Sequence, residues 1–161
     1  MKYYTHWGSH LPMLIKVVQM TTGPILELGV GLFSTPFLHW ACHDSKRELV
    51  SYDHNEHYIN LFKHFKTDFH KLLLAKDWDK IKIERNWEIA FVDHEDARRY
   101  KEVKRLVNYA KYVIVHDTQP GSYKTHRYSE VFPLFKYRYD YKGASPNTTI
   151  LSNFIDPYER F

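Results

Sequence analysis

Apolar positions along the chain fall into short solid runs that alternate with longer amphipathic stretches. The first amphipathic stretch, "HLPMLIKVVQM" (10–20), predicts a helix that ends near "TTGP". The apolar run "PILELGV" (24–30) predicts a short buried strand. "TPFLHWACHD" (35–44) predicts a second helix, with Thr35 as its N-cap and Pro36 at its first position. "ELVSYDH" (48–54) predicts the second strand, and "NEHYINLFKHFKTDFHKLLL" (55–74) a helix with Tyr58, Leu61, Phe62 and Phe65 at helical spacing. "DKIKIE" (79–84) alternates like a half-exposed third strand, and "WEIAFVDH" (87–94) reads as a fourth. "DARRYKEVKRLVNYA" (96–110) predicts a helix that turns Val103, Leu106, Val107 and Tyr109/Ala110 inward, and "KYVIVHD" (111–117) predicts the fifth strand. "LFKYRYDYK" (134–142) and "TTILSNF" (148–154), joined through "GASPN", predict an antiparallel hairpin.

Strands separated by helices imply a parallel sheet with crossovers, and the closing hairpin adds antiparallel strands at one edge. The expected fold is therefore α/β, a doubly wound and mostly parallel sheet. One link conflicts with it. Arg85 and Asn86 alone join the predicted third and fourth strands, too few residues for a crossover, so the third strand is expected to be very short or irregular.

At 161 residues the chain suits one domain, taken as 1–161, with 1–22 as a helical segment able to lid a site. A net charge of +4 without a long basic run makes nucleic acid an unexpected partner, and no N/D-P-P-Y/F motif for flipped-base chemistry occurs. The single Cys42 excludes an internal disulfide and suits a reducing compartment. No apolar run reaches the ~18 residues of a membrane span, and the N-terminus lacks the apolar core of a signal peptide, so a cytoplasmic location is expected.

In doubly wound sheets ligands bind beyond the carboxyl ends of the strands. Strand one runs into Glu27-Leu28-Gly29-Val30-Gly31, strand two into Asp53-His54, strand four into Asp93-His94, and strand five into His116-Asp117. Only 6 glycines occur in the chain, and two of them stand at 29 and 31. Asp53 follows Gly31 by 22 residues, close to the ~20 expected of an acid that accepts hydrogen bonds from ribose hydroxyls. The pattern departs from G-x-G-x-x-G by placing Ser34 third and an acid, Glu27, ahead of the first glycine. That acid disfavours a pyrophosphate and suits a ligand carrying an ammonium group.

E-x-G-x-G-x-x-S followed by an acid after the next strand resembles the first two motifs of class I S-adenosylmethionine-dependent methyltransferases. The resemblance spans nearly the whole chain and implies a Rossmann-like sheet in the order 3-2-1-4-5-7-6, S-adenosylmethionine as cofactor, and methyl transfer to a small hydroxyl- or amine-bearing acceptor. The set expected around the cofactor is Glu27, Gly29, Gly31, Ser34, Asp53, His54, Asp93 and His94. The stretch 89–121 is similar to small-molecule O-methyltransferase-like proteins related to cephalosporin hydroxylase and to macrocin-type sugar methyltransferases. Some of these hold a divalent metal at the ends of strands four and five, which implies Asp93, His116 and Asp117 as candidate ligands. A histidine among them suits Mn²⁺, Fe²⁺ or Zn²⁺ better than Mg²⁺. Without a metal, His116 or His94 is the candidate base, oriented by Asp93 or Asp117, so that Asp93, His116 and Asp117 form the catalytic set. A non-catalytic binding module and a lyase-type enzyme on the same fold are the alternatives, and homo-oligomerisation is left open. The Glu/Lys/Arg-rich stretch 95–105 reads as an exposed helix face, with Arg98 and Arg99 near the site mouth.

Overall fold

The computed structural model describes residues 5–160. Residues 1–4 of the expected lid segment lie outside the described residues. The strands are β1 (Ile25–Leu28), β2 (Leu49–Asp53), β3 (His70–Leu74), β4 (Trp87–Val92), β5 (Ala110–His116), β6 (Tyr137–Tyr141) and β7 (Thr148–Ser152). They form one seven-stranded sheet in the order β3-β2-β1-β4-β5-β7-β6. The first five pair in parallel, and β7 lies antiparallel between β5 and β6.

The two-residue period of the central strands sorts their side chains onto two faces. Ile25, Ile89, Phe91, Ile114 and Ile150 pack with Met13, Leu14 and Val17 of helix α1 (Leu11–Gln19) and Leu38 of helix α2 (Ser34–His43). Their neighbours Leu26, Ala90, Val92, Val113, Val115 and Leu151 pack with Val103 of helix α4 (Arg99–Arg105), Tyr128 and Phe132. A smaller cluster, Val30, Ile59, Phe62, Phe65 and Leu72, seats helix α3 (Glu56–Leu61). Both faces of the parallel strands are thus covered, which is why those strands read as solid apolar runs.

Two expected elements resolve differently. The long helix expected over 55–74 stops at Leu61, and its last five residues are β3. Thr67 turns the chain, exchanging hydrogen bonds with His70 through its backbone N–H and its hydroxyl, and "HKLLL" then pairs with β2 from Leu49↔His70 onward. The segment 79–84 is no strand. Ile83 plugs the core while Lys80, Lys82 and Glu84 face solvent, which produces the alternation without any ladder partner. The Arg105 guanidinium donates to the carbonyls of Trp78 and Ile81 and pins the segment. The crossover from β3 to β4 is therefore the irregular stretch 75–86, and the apparent two-residue link disappears. Helix α2 begins at Ser34, one residue before its expected cap. The Thr35 hydroxyl is turned inward, and no side chain caps the helix.

Candidate active site at the carboxyl ends of the strands

The strand order reverses between β1 and β4, and the loops after these two parallel strands part there. Gly29 closes β1 with φ +104°, and a Cβ on it would stand 2.5 Å from the Asp93 carbonyl oxygen. Only glycine fits a backbone pressed so closely against the end of β4. Gly31 differs. A Cβ there would meet only the Ser34 hydroxyl, at 3.4 Å, so its open side faces a cleft instead of protein.

Hydrogen bonds from below fix this glycine turn. The Gly31 N–H donates to the Thr35 hydroxyl (3.0 Å), which donates to Glu27 Oε1 (2.9 Å). Glu27 is completely buried on the α2 side of the sheet. Burial pushes its carboxyl up to about 7, against the opposing pull of the Ser51, Ser34 and Thr35 hydroxyls. Asp53 holds the turn from the side. Its Oδ2 accepts from the Val30 N–H (2.9 Å) and its Oδ1 from the Asn55 N–H (2.7 Å) at the start of α3. A carboxylate has about four acceptor positions, so two remain for a ligand.

The cleft of about 260 Å³ above the turn is lined by six of the eight residues expected around the cofactor: Gly31, Ser34, Asp53, His54, Asp93 and His94. Glu27 and Gly29 do not line it; they shape the turn from beneath. A second recess of about 280 Å³ is lined by Asp93, His116, Asp117, Arg99, His6 and Trp7, with Pro146 at its edge. Trp7 and Asp93 line both spaces. Each is smaller than the roughly 300 Å³ at which ligand pockets begin, so a two-part site sharing Asp93 is the natural reading.

Electrostatics distinguish the two parts. At the cleft's far end His94 Nε2 lies 3.0 Å from Glu102 Oε2, a pure acceptor, so Nε2 carries the hydrogen and Nδ1 keeps a lone pair. Burial outweighs Glu102 and lowers the His94 pKa, which keeps the ring neutral. His94 Nδ1 and the indole N–H of Trp78, whose ring lies 4.4 Å away, are both buried without hydrogen-bond partners among the described residues. In the recess His116 Nδ1 faces Asp93 Oδ1 at 3.1 Å, and Nε2 faces the Ser9 hydroxyl at 2.8 Å. Ser9 gives its own hydrogen to the Pro146 carbonyl (2.7 Å), so its oxygen can only accept from His116. Both ring nitrogens thus face acceptors, an arrangement that favours the imidazolium form of His116. Burial opposes that charge, but the hydrogen bond and charge of Asp93 overcome it and raise the pKa.

Arg99 completes the arrangement. It is buried, and its guanidinium lies 2.9 Å from Asp93 Oδ1 and 2.7 Å from Asp117 Oδ2. Asp117 itself is held at φ +57°, in the left-handed region. Sequence patterning placed Arg99 on an exposed face, yet Arg99, Glu102, Val103 and Leu106 form one buried stripe at i, i+3, i+4 and i+7. Two charges standing on an apolar stripe were the available signal. Ser9 and His10, also absent from the expected set, carry no such signal; they arrive through the path of the segment before α1.

A divalent metal suits these donors poorly. Among the described residues the potential ligands that fall together are His10, Asp93 and His116, without Asp117. His116 has acceptors facing both ring nitrogens, and the Arg99 guanidinium already pairs with Asp93 and Asp117. His10 and one oxygen of Asp93 are fewer donors than protein metal sites use.

No protein-family model matches the sequence, and no curated protein matches it. Solved structures do. The O-methyltransferase TomG from Streptomyces achromogenes, involved in tomaymycin synthesis and solved with SAM, aligns over 94% of this chain and 81% of its own, with TM-score 0.64 and 15% identity. An O-methyltransferase from Bacillus cereus solved with SAH aligns over 94% and 82%, with TM-score 0.65 and 13% identity. Spermidine synthase from Thermotoga maritima aligns over 98% of this chain and 62% of its own, with TM-score 0.61 and 17% identity. At such identities the likeness speaks for architecture alone: the chain has the Rossmann-like fold of class I S-adenosylmethionine-dependent methyltransferases.

Proposed function

We propose that the protein binds S-adenosylmethionine in the cleft above the glycine turn and transfers its methyl group to a small acceptor in the adjoining recess. The observation that carries this reading is that two adjoining spaces share Trp7 and Asp93 in their walls, with a cradle at Gly31 that protein atoms leave open. When bound, the cofactor supplies an electrophilic methyl group on a sulfonium. The free acceptor positions of Asp53 suit vicinal ribose hydroxyls, and His54 borders the same end. The His94 Nδ1 lone pair is an acceptor of the kind an adenine amino group needs, on a residue that lines the cleft. Glu27 and Thr35 hold the turn in shape from below. Asp93, His116 and Asp117, tied by Arg99, form a rigid charged wall for the acceptor side. Nothing in this arrangement calls for a metal. No described helix is long and apolar enough to cross a membrane.

Calorimetric titration with S-adenosylhomocysteine tests the reading. Micromolar binding to the wild type is expected. Asp53→Ala should weaken it by about 10- to 100-fold, or ~1.5–3 kcal/mol, the range for a lost hydrogen bond to a charged group. Absence of binding to the wild type, with the fold intact by circular dichroism, ends the proposal. Binding without methyl transfer to any acceptor favours a binding module instead.

A further inference from the structure

His10 is 2% exposed, and neither of its ring nitrogens has a hydrogen-bond partner among the described residues. A buried imidazole normally satisfies both, because an orphaned polar atom gives up its hydration with nothing in return. The ring lies 4.7 Å from that of Phe91 and 4.9 Å from that of His116, and its Nδ1 stands 4.0 Å from Asp93 Oδ2. It also lines the cofactor cleft beside Asp93, the residue shared with the recess. The junction where a transferring group must pass therefore holds a ring with an unused lone pair.

Building on the methyl-transfer reading, we propose that His10 is the general base of the reaction and that the acceptor presents a neutral hydroxyl to it. His116 suits this role less, since acceptors face both of its nitrogens. The titratable groups around His10 and the recess are Asp93 just beyond β4, His116 at the end of β5, Asp117 just beyond β5, Arg99 on α4 and the His6 ring. Two anions and two cations cancel, so the recess holds no spare carboxylate charge for an ammonium and no spare cation for a phosphate. A neutral O–H donor matches it. In the step, the hydroxyl oxygen forms a bond to the methyl carbon while the carbon–sulfur bond of the sulfonium breaks. That electron pair stays on sulfur as a thioether, and the hydroxyl proton passes to His10. The oxygen becomes strongly acidic only as its bond to carbon forms, so a weak base suffices. The new imidazolium then lies beside Asp93 Oδ2. Burial also lowers the His10 pKa to about 4, against the pull of Asp93, which keeps the lone pair unprotonated at neutral pH.

The test uses full-length protein labelled with ¹⁵N-histidine, with phenol as the probe and anisole, which lacks the O–H, as its control. In the S-adenosylhomocysteine complex, phenol should shift a His10 ring nitrogen towards the hydrogen-bonded position, and anisole should not. His10 should stay neutral at pH 7 while His116 is charged. A charged His10 at pH 7, or a His10 signal that phenol leaves unmoved, overturns the proposal. So does a shift produced equally by benzylamine, which would mark an ammonium subsite. If phenol is turned over, His10→Gln should lower kcat by about 10²- to 10⁴-fold and remove the acidic limb of the pH profile. A fully active His10→Gln overturns the proposal too. Failure of S-adenosylhomocysteine to bind the wild type is a separate result and strikes the cofactor reading instead.

Discussion

Gly29 and Gly31 stand two residues apart and answer to different demands. At Gly29 both the φ of +104° and the Asp93 carbonyl exclude a side chain; at Gly31 the protein excludes nothing. Gly29→Ala should therefore destabilise the fold by about 1–3 kcal/mol from backbone strain alone, with the clash adding to it, read as a lower urea midpoint. Gly31→Ala should leave stability within about 0.5 kcal/mol and instead weaken S-adenosylhomocysteine binding. The reverse pattern would mean that the cleft is not where the ligand lies. The sequence displays the two glycines and the acid 22 residues on, but not which glycine serves the chain and which serves the ligand. Arg99 and His10 were harder still. Arg99 sits in a charge-rich stretch whose neighbours Lys101 and Lys104 are indeed exposed, and His10 is one of 11 histidines.

Strand β1 and helix α2 are coupled through Glu27, Thr35 and Gly31, and this coupling carries a proton. Folded Glu27 holds its proton up to about pH 7, against an ordinary value of 4.5. A raised acid pKa adds stability that is fully present below the ordinary value and is lost as pH rises through the folded one. Glu27→Gln does not titrate there. Its stability relative to wild type should grow by on the order of 3 kcal/mol between pH 4 and pH 8, measured by urea unfolding at each pH. A flat difference would place the proton elsewhere. Elements also mark the limit of pattern reading. The apolar positions of 55–74 fit a helix until β2 offers "HKLLL" a ladder, and those of 79–84 fit a strand until no ladder is offered. Hydrogen-bond partners far along the chain decide both, and a local period does not contain them.

Across the molecule, the sheet order opens one crevice between the ends of β1 and β4 and gathers there the acids that close β2, β4 and β5. With Arg99 and His116 already matching Asp93 and Asp117, added divalent metal has no strong purchase. A site of 10 μM affinity would stabilise the fold by about 2.7 kcal/mol in 1 mM metal, raising Tm by roughly 5–10 °C. Mg²⁺, Mn²⁺ and Zn²⁺ at that concentration should produce no such rise in a thermal melt, and a rise with any one would reinstate the metal. The doubly wound class, the terminal hairpin and the acids at the strand ends were readable from the chain alone, because solid apolar runs and the polar residues that stop them are local consequences of burying a parallel sheet. The true third strand, the charge state of His116, the buried Arg99 and the unpartnered His10 were not. Each depends on groups 17 to 107 residues apart meeting in a space with little water, where a single neighbour sets whether a nitrogen donates, accepts or waits for a ligand.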